Sequence, residues 1–277
     1  MSANEYLNYL IQSRANSSFY SQNEEIAYTK VCGWINEWKQ SFNGGSISAY
    51  SWQQNYLSIA TQKSGSRAKG TSLKGKSDID IFVSITDPSN NNTTKDYYDS
   101  LHRFLKSKMG DNELRRQNVS IGLSYAGCDI DVTPGKKINH ATHNYQNSQD
   151  HNIYSRKKDG LVLTNIEKHI SLVRNSGLQK EIMLIKMWRN CHGLELPSIY
   201  IEIFATEVFK NQQKGDLASN VWELIRVLRD TIQTRRIFDP ANSSNIISDT
   251  LTNAEKQEIA KTAQSSLTQP YWESIIW

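Results

Sequence analysis

An apolar run that carries two acids is hard to fold. Residues 78 to 83, DIDIFV, alternate aspartate with isoleucine and end in Phe82 and Val83. Branched and aromatic residues favour a β-strand, predicted here over residues 78 to 85. Side chains alternate faces on a strand, so Asp78, Asp80 and Phe82 share one face and Ile79, Ile81 and Val83 the other. The two carboxylates then stand about 7 Å apart and repel each other. A strand this apolar belongs inside a sheet, where unpaired charge is costly. A bound divalent cation removes the conflict, and Mg2+ favours a few carboxylates together with phosphate oxygens and water. Solvated aspartates at an exposed strand end are the plainer alternative.

The residues upstream favour the cation. The stretch GSRAKGTSLKGKS, residues 65 to 77, leads into the acids from a strand expected over 55 to 64. Gly65 lets backbone N–H groups approach a phosphate closely, and Ser66 adds a hydroxyl donor. Arg67, Lys69, Lys74 and Lys76 favour a polyanion, and Gly70 and Gly75 keep the loop pliable. A P-loop is excluded, because no GxxxxGK[ST] is present. Downstream, CDIDVTPG supplies Asp129 and Asp131 on one face of a strand expected to neighbour the first. Three carboxylates on two metal ions can activate a hydroxyl and stabilise a triphosphate, the protein supplying mainly position and charge.

The rest of the chain supports an α+β architecture. Helices are predicted over residues 4 to 13, 23 to 41 (stopped by NGG at 43 to 45) and 97 to 109. A hairpin joins 118–125 to 128–134 across Ala126-Gly127, and a polar loop follows from 135 to 152. From Thr164 onward helices dominate: two broken at Ser176-Gly177, one from Ser198, one carrying Val221, Ile225, Leu228 and Ile232, and a last one behind a Thr252–Glu255 capping box. The expected division is a catalytic core with N-terminal helices over 1–160 and a helical lobe over 161–277.

Composition bounds the function loosely. With 277 residues, 38% of them hydrophobic, the chain can bury a sizeable core. A net charge of +4 is compatible with anionic substrates or nucleic acid without requiring either. Three scattered cysteines, none in a CxxC pair, argue against a disulfide framework and a cysteine zinc site. The first residues lack a signal peptide's pattern, and no apolar run approaches the roughly 18 residues needed to span a bilayer. A cytoplasmic protein with no membrane partner is expected. The basic clusters Arg115-Arg116, Lys136-Lys137, Arg156-Lys157-Lys158 and Arg235-Arg236 read as solvated surface, an RNA track being the alternative.

Together these motifs resemble the DNA polymerase β-like nucleotidyltransferase superfamily. The order is GS, eleven residues, DIDIFV and later DVTP; GSRAKGTSLKGKSDIDIFV looks most like the 2′-5′-oligoadenylate synthetases and the bacterial cGAS/DncV-like nucleotidyltransferases (CD-NTases). LVLTNIEKH, MLIKMWRN and IFDPANSSNIISD extend the resemblance into the helical region, with Ile166 where proline is usual. The resemblance implies a nucleotidyltransferase mixed sheet with flanking helices and a C-terminal helical lobe. It implies that Asp78, Asp80 and Asp131 are the catalytic, metal-binding acids, served by two Mg2+ ions or by Mn2+. Asp129 has no counterpart. Gly65, Ser66, Lys186 and Ser198 match positions expected to contact nucleotide phosphates, and Lys69 of the basic loop is expected to bind the nucleotide with them. The position that stacks on a base falls on Ile199 or Tyr200, depending on register. The implied activity joins NTPs, ATP among them, into a cyclic or short linear oligonucleotide messenger in bacterial antiphage signalling, with an RNA or protein activator compatible with it. The compact length is expected of such a synthase more than of an archaeal-type CCA-adding enzyme. A fold that has kept only RNA or partner binding is a further alternative.

Overall fold

The structure, a computed structural model, describes residues 1–16, 21–43, 57–75, 78–110, 114–138 and 149–277. In chain order its elements are α1 (Ala3–Arg14), α2 (Gln22–Asn43), β1 (Ser58–Lys63), α3 (Gly65–Lys69), β2 (Ile79–Thr86), α4 (Thr94–Met109), β3 (Leu114–Arg116), β4 (Ile121–Tyr125), β5 (Cys128–Lys137), β6 (His151–Ser155) and β7 (Gly160–Thr164). Then follow α5 (Ile166–Ser176), α6 (Gln179–Cys191), α7 (Ser198–Val208), α8 (Leu217–Thr231), β8 (Phe238–Asp239), β9 (Asn242–Ile246) and α9 (Asn253–Ser266). The expected helix stop at Gly44-Gly45, residue Lys76 and the middle of the expected 135–152 loop lie outside the described residues.

The chain divides into a sheet unit, residues 17–68 and 77–167, and a helical unit, residues 1–16, 69–76 and 168–277. This division is discontinuous, unlike the contiguous 1–160 and 161–277 expected. α1 buries Leu7, Leu10 and Ile11 in the core formed by the later helices, so it belongs with them.

In the sheet unit the strands run β1-β2-β5-β4-β3, with β6 beside the end of β5 and β7 beside β6. β2 and β5 are parallel, and the other described pairs are antiparallel. The alternating isoleucines and valines of β2 and β5 bury on one face, with α2 and α4 packed against it. Each such side chain contributes about 1.5–3 kcal/mol on leaving water. Thr93 closes a capping box with Asp96, so α4 starts earlier than the aromatic stripe alone indicates. The predicted hairpin forms between β4 and β5. Ala126 and Gly127 both take positive φ, 52° and 75°, as a two-residue turn with the right twist requires.

β5 continues through Gly135, Lys136 and Lys137 into what reads in sequence as loop, and β6 begins at His151. β3, β6, β7, β8 and β9 are short and alternate poorly, so pairing across the sheet rather than local pattern creates them.

In the helical unit, α6 is buried along residues 181 to 188, with α1, α7 and α8 packed against it. Gly177, at φ 64°, makes the break between α5 and α6. The capping box at Thr252 and Glu255 starts α9 as its sequence indicates. His169 Nε2 meets Asp239 Oδ1 at 2.7 Å, tying α5 to the β8–β9 hairpin.

Candidate active site

The acids lie on the sheet face opposite the α2–α4 core. Ile79, Ile81, Val83 and Ile85 point into that core, which leaves Asp80, Phe82 and Ser84 on the other face. β2 and β5 pair in parallel with Asp80 opposite Asp131, so the two aspartates are lateral neighbours on one face. Asp78 stands just before the first residue of β2. Partial burial raises its carboxyl above the ordinary range, and the charge of Asp129 adds to this. Burial raises Asp131 likewise, with Asp78 as the next cause. The carboxylates therefore sense one another, as a like-charged cluster must.

Gly65 opens α3 at the end of β1, where Ser64 N donates to Asp80 O at 2.9 Å. It takes φ +65°, and a Cβ there would fall 1.7 Å from Asp80 Oδ2. Only glycine fits. Ser66 is half-buried on the same short helix. Arg67, one of the basic residues of the loop, is buried and ion-paired to Glu24 of α2. Its charge is thereby held within the sheet unit.

Asp131 has a partner that the sequence did not single out. Gln117, in the turn between β3 and β4, donates from Nε2 to Asp131 Oδ1 at 2.8 Å. Ser120 Oγ donates to Gln117 Oε1 at 2.6 Å. No signal in RRQNVS marks this role, because it arises from pairing across β3, β4 and β5. Asp129 is engaged differently: Ser124 donates to it, and Arg115 lies 3.3 Å away at the exposed edge.

Among the described residues no three His, Cys, Asp or Glu side chains are grouped ready to hold an ion. Asp80 is turned over Gly65 and Asp131 is tied to Gln117, as mutually repelling carboxylates would be. The donor set still fits Mg2+ chemically: Asp80 and Asp131 on one face and Asp78 just before β2, with Asp78 and Asp131 destabilised as charges by burial and by neighbouring acids.

In the helical unit, Lys186 of α6 is 3% exposed. Its Nζ donates to Glu202 Oε1 at 2.7 Å and to Thr71 Oγ1 at 2.9 Å. Lys69 Nζ reaches Glu202 Oε2 at 2.7 Å. Burial lowers Lys186, an effect Glu202 only partly offsets. Burial alone would raise Glu202, but Lys69 and Lys186 outweigh it and hold the carboxyl below its usual range. Ser198 Oγ accepts from Arg189 Nη1 at 3.0 Å at the start of α7.

Tyr200 corrects one of the two base-facing alternatives. Its ring is fully buried in the helical core, stacked on Phe204 at 6.0 Å. It offers no surface to a base. Ile199 is half-buried and remains the candidate.

Several basic clusters have a member already in an ion pair. Arg116 pairs with Asp99, Lys136 with Asp87 and Arg235 with Glu207. No helix among the described residues is long and apolar enough to cross a membrane.

A mixed sheet bearing these acids, with the helical elements that follow it, has the CD-NTase fold. Residues 49–157 match the family model of a Second Messenger Oligonucleotide or Dinucleotide Synthetase domain. CdnC of E. coli MS115-1, solved with ATP, is similar over 99% of this chain and 97% of its own, with a TM-score of 0.71 and 16% identity. The same protein in complex with HORMA-deltaN gives 0.69 and 16%, over 99% and 96% of the two chains. The CdnE cyclic dinucleotide synthase of Elizabethkingia meningoseptica, with GTP and Apcpp, gives 0.65 and 14%, over 95% and 97%. No curated protein matches the chain.

Proposed function

We propose that the protein is a metal-dependent nucleotidyltransferase that joins NTPs into a cyclic or short linear oligonucleotide and releases pyrophosphate. One observation carries the reading: Asp80 and Asp131 are partners on adjacent parallel strands, and Asp78, two residues before Asp80, is electrostatically coupled to Asp131. Asp78, Asp80 and Asp131 would hold two Mg2+ ions, or Mn2+ in their place. When bound, the ions supply positive charge to the α-phosphate under attack and to the leaving group.

A ribose hydroxyl of one nucleotide forms the new P–O bond at the α-phosphate of another, and the bond to the β-phosphate oxygen breaks. Asp131 helps activate the attacking hydroxyl by accepting its proton. Gly65 and Ser66 serve the phosphates beside Asp80. In the helical unit, two ammonium groups share the single carboxylate of Glu202, a surplus of positive charge that a phosphate oxygen would balance. Lys69, Lys186 and Ser198 are accordingly assigned to phosphate and Ile199 to the base. ATP is the first substrate to offer, since CdnC is solved with it. CdnC's complex with HORMA-deltaN motivates a protein activator. The second-messenger family match motivates a role in bacterial antiphage signalling.

The test is incubation with labelled NTPs and Mg2+ or Mn2+, with and without RNA, followed by product mass. Small phosphatase-resistant products support the reading. Label confined to tRNA ends would move the assignment to CCA-type addition. Absence of product under every nucleotide, metal and activator condition would favour a binding module.

A further inference from the structure

Asp131 can act only if its carboxylate is aimed, and the sheet unit contains a device that aims it. Gln117 is held in its turn by its backbone, whose N–H donates to Ser120 O at 3.0 Å and whose carbonyl accepts from Tyr98 Oη at 3.1 Å, and by its side-chain Oε1. Its Nε2 is left for Asp131. The Ser120 hydroxyl, on a buried residue, donates to Gln117 Oε1 and so turns the amide nitrogen toward Asp131 Oδ1. The reversed amide would set two oxygens against each other. Gly122, paired with Asp131 across β4 and β5, clears the space. A Cβ at Gly122 would stand 2.8 Å from Gln117 Nε2 and 3.2 Å from Asp131 Oδ1. A glycine, a glutamine and a serine thus converge on one oxygen of one acid.

We infer that Gln117, oriented by Ser120, is a positioning residue that pins Oδ1 of Asp131 and leaves Oδ2 as the donor atom for a divalent cation. The inference rests on the nucleotidyltransferase reading for its role in turnover, but not for its effect on the cation. Partners that orient a metal-binding carboxylate typically govern affinity or activity by about 10–100-fold.

The test uses the full chain. Mn2+ binding without nucleotide is followed by calorimetry, and turnover of NTPs is measured in parallel. Gln117→Leu is expected to weaken Mn2+ about 10–100-fold and to lower kcat by a similar factor, with KM for NTP changed by less than about threefold. Ser120→Ala is expected to give a smaller loss. The double variant should lose less than the two single losses added together, since Ser120 reaches Asp131 through Gln117 as well as directly. If Gln117→Leu fails to fold, Gln117→Met repeats the measurement. Wild-type Mn2+ affinity in a folded Gln117 variant overturns the inference. Additive losses in the double variant overturn the route through Ser120. If no NTP product ever forms while Gln117→Leu still weakens Mn2+, the enzymatic reading fails and the positioning role stands. If the wild-type chain binds no Mn2+, both fall.

Discussion

A Cβ on Gly65 would lie 1.7 Å from Oδ2 of Asp80. The turn that opens α3 and the acid on β2 therefore exclude any side chain between them. The glycine also takes φ +65°, which costs an L-residue about 1–2 kcal/mol in any surroundings. Gly65→Ala is expected to lower the melting temperature and to reduce turnover at least about 100-fold, because the displaced group is Asp80 itself. In an Asp80→Gly background the same substitution should cost only the backbone penalty. Equal destabilisation in both backgrounds, read by urea unfolding, would contradict the steric relationship.

The combined Asp78→Asn and Asp80→Asn variant is expected to lose turnover by orders of magnitude and to keep its fold, since both changes remove charge from a crowded face. Circular dichroism and product assays check the two halves separately. Wild-type rates in this variant would refute the metal site.

The raised carboxyls of Asp78 and Asp131 set a sign for the pH dependence of stability. An acid whose folded pKa lies above its unfolded value, about 3.9 for aspartate, favours folding most when protonated. That contribution is complete below the unfolded value and is lost as pH rises through the raised folded value. Without divalent ions, the wild-type chain should therefore lose stability relative to Asp131→Asn as pH climbs from about 4. Urea unfolding of the two proteins across this range measures the difference. A constant gap would show that Asp131 does not titrate differently in the folded state.

Glu202→Gln strips the carboxylate from two lysines, one of them 3% exposed. Breaking a buried pair from one side typically costs about 3–5 kcal/mol, because the remaining charge is left uncompensated. Chemical denaturation should show a loss of this order. A change below about 1 kcal/mol would mean that Lys186 finds water or sheds its proton instead.

Tyr200 presents the reverse case. Among the described residues its buried hydroxyl has no hydrogen-bond partner, and burial raises its pKa. Tyr200→Phe removes an unsatisfied polar atom and should leave the protein as stable, or more stable by up to about 1 kcal/mol. Melting temperature checks this. A clear loss would reveal a partner for the hydroxyl.

By itself, the sequence determined the local matters. Period-two alternation marked β2 and β5 and put Asp80 and Asp131 on strand faces, with Asp78 falling just before β2, while Ala126-Gly127 and Thr252–Glu255 marked a turn and a cap. These are short-range rules, legible wherever neighbouring residues obey them. Tertiary structure alone decided what depends on distant partners. It set Asp80 opposite Asp131 through a parallel register, brought Gln117 to Asp131, and held Lys186 on Glu202. It moved α1 into the helical unit and buried Tyr200. Pairing register and burial are set by the whole packed unit, and no stretch of local periodicity encodes them.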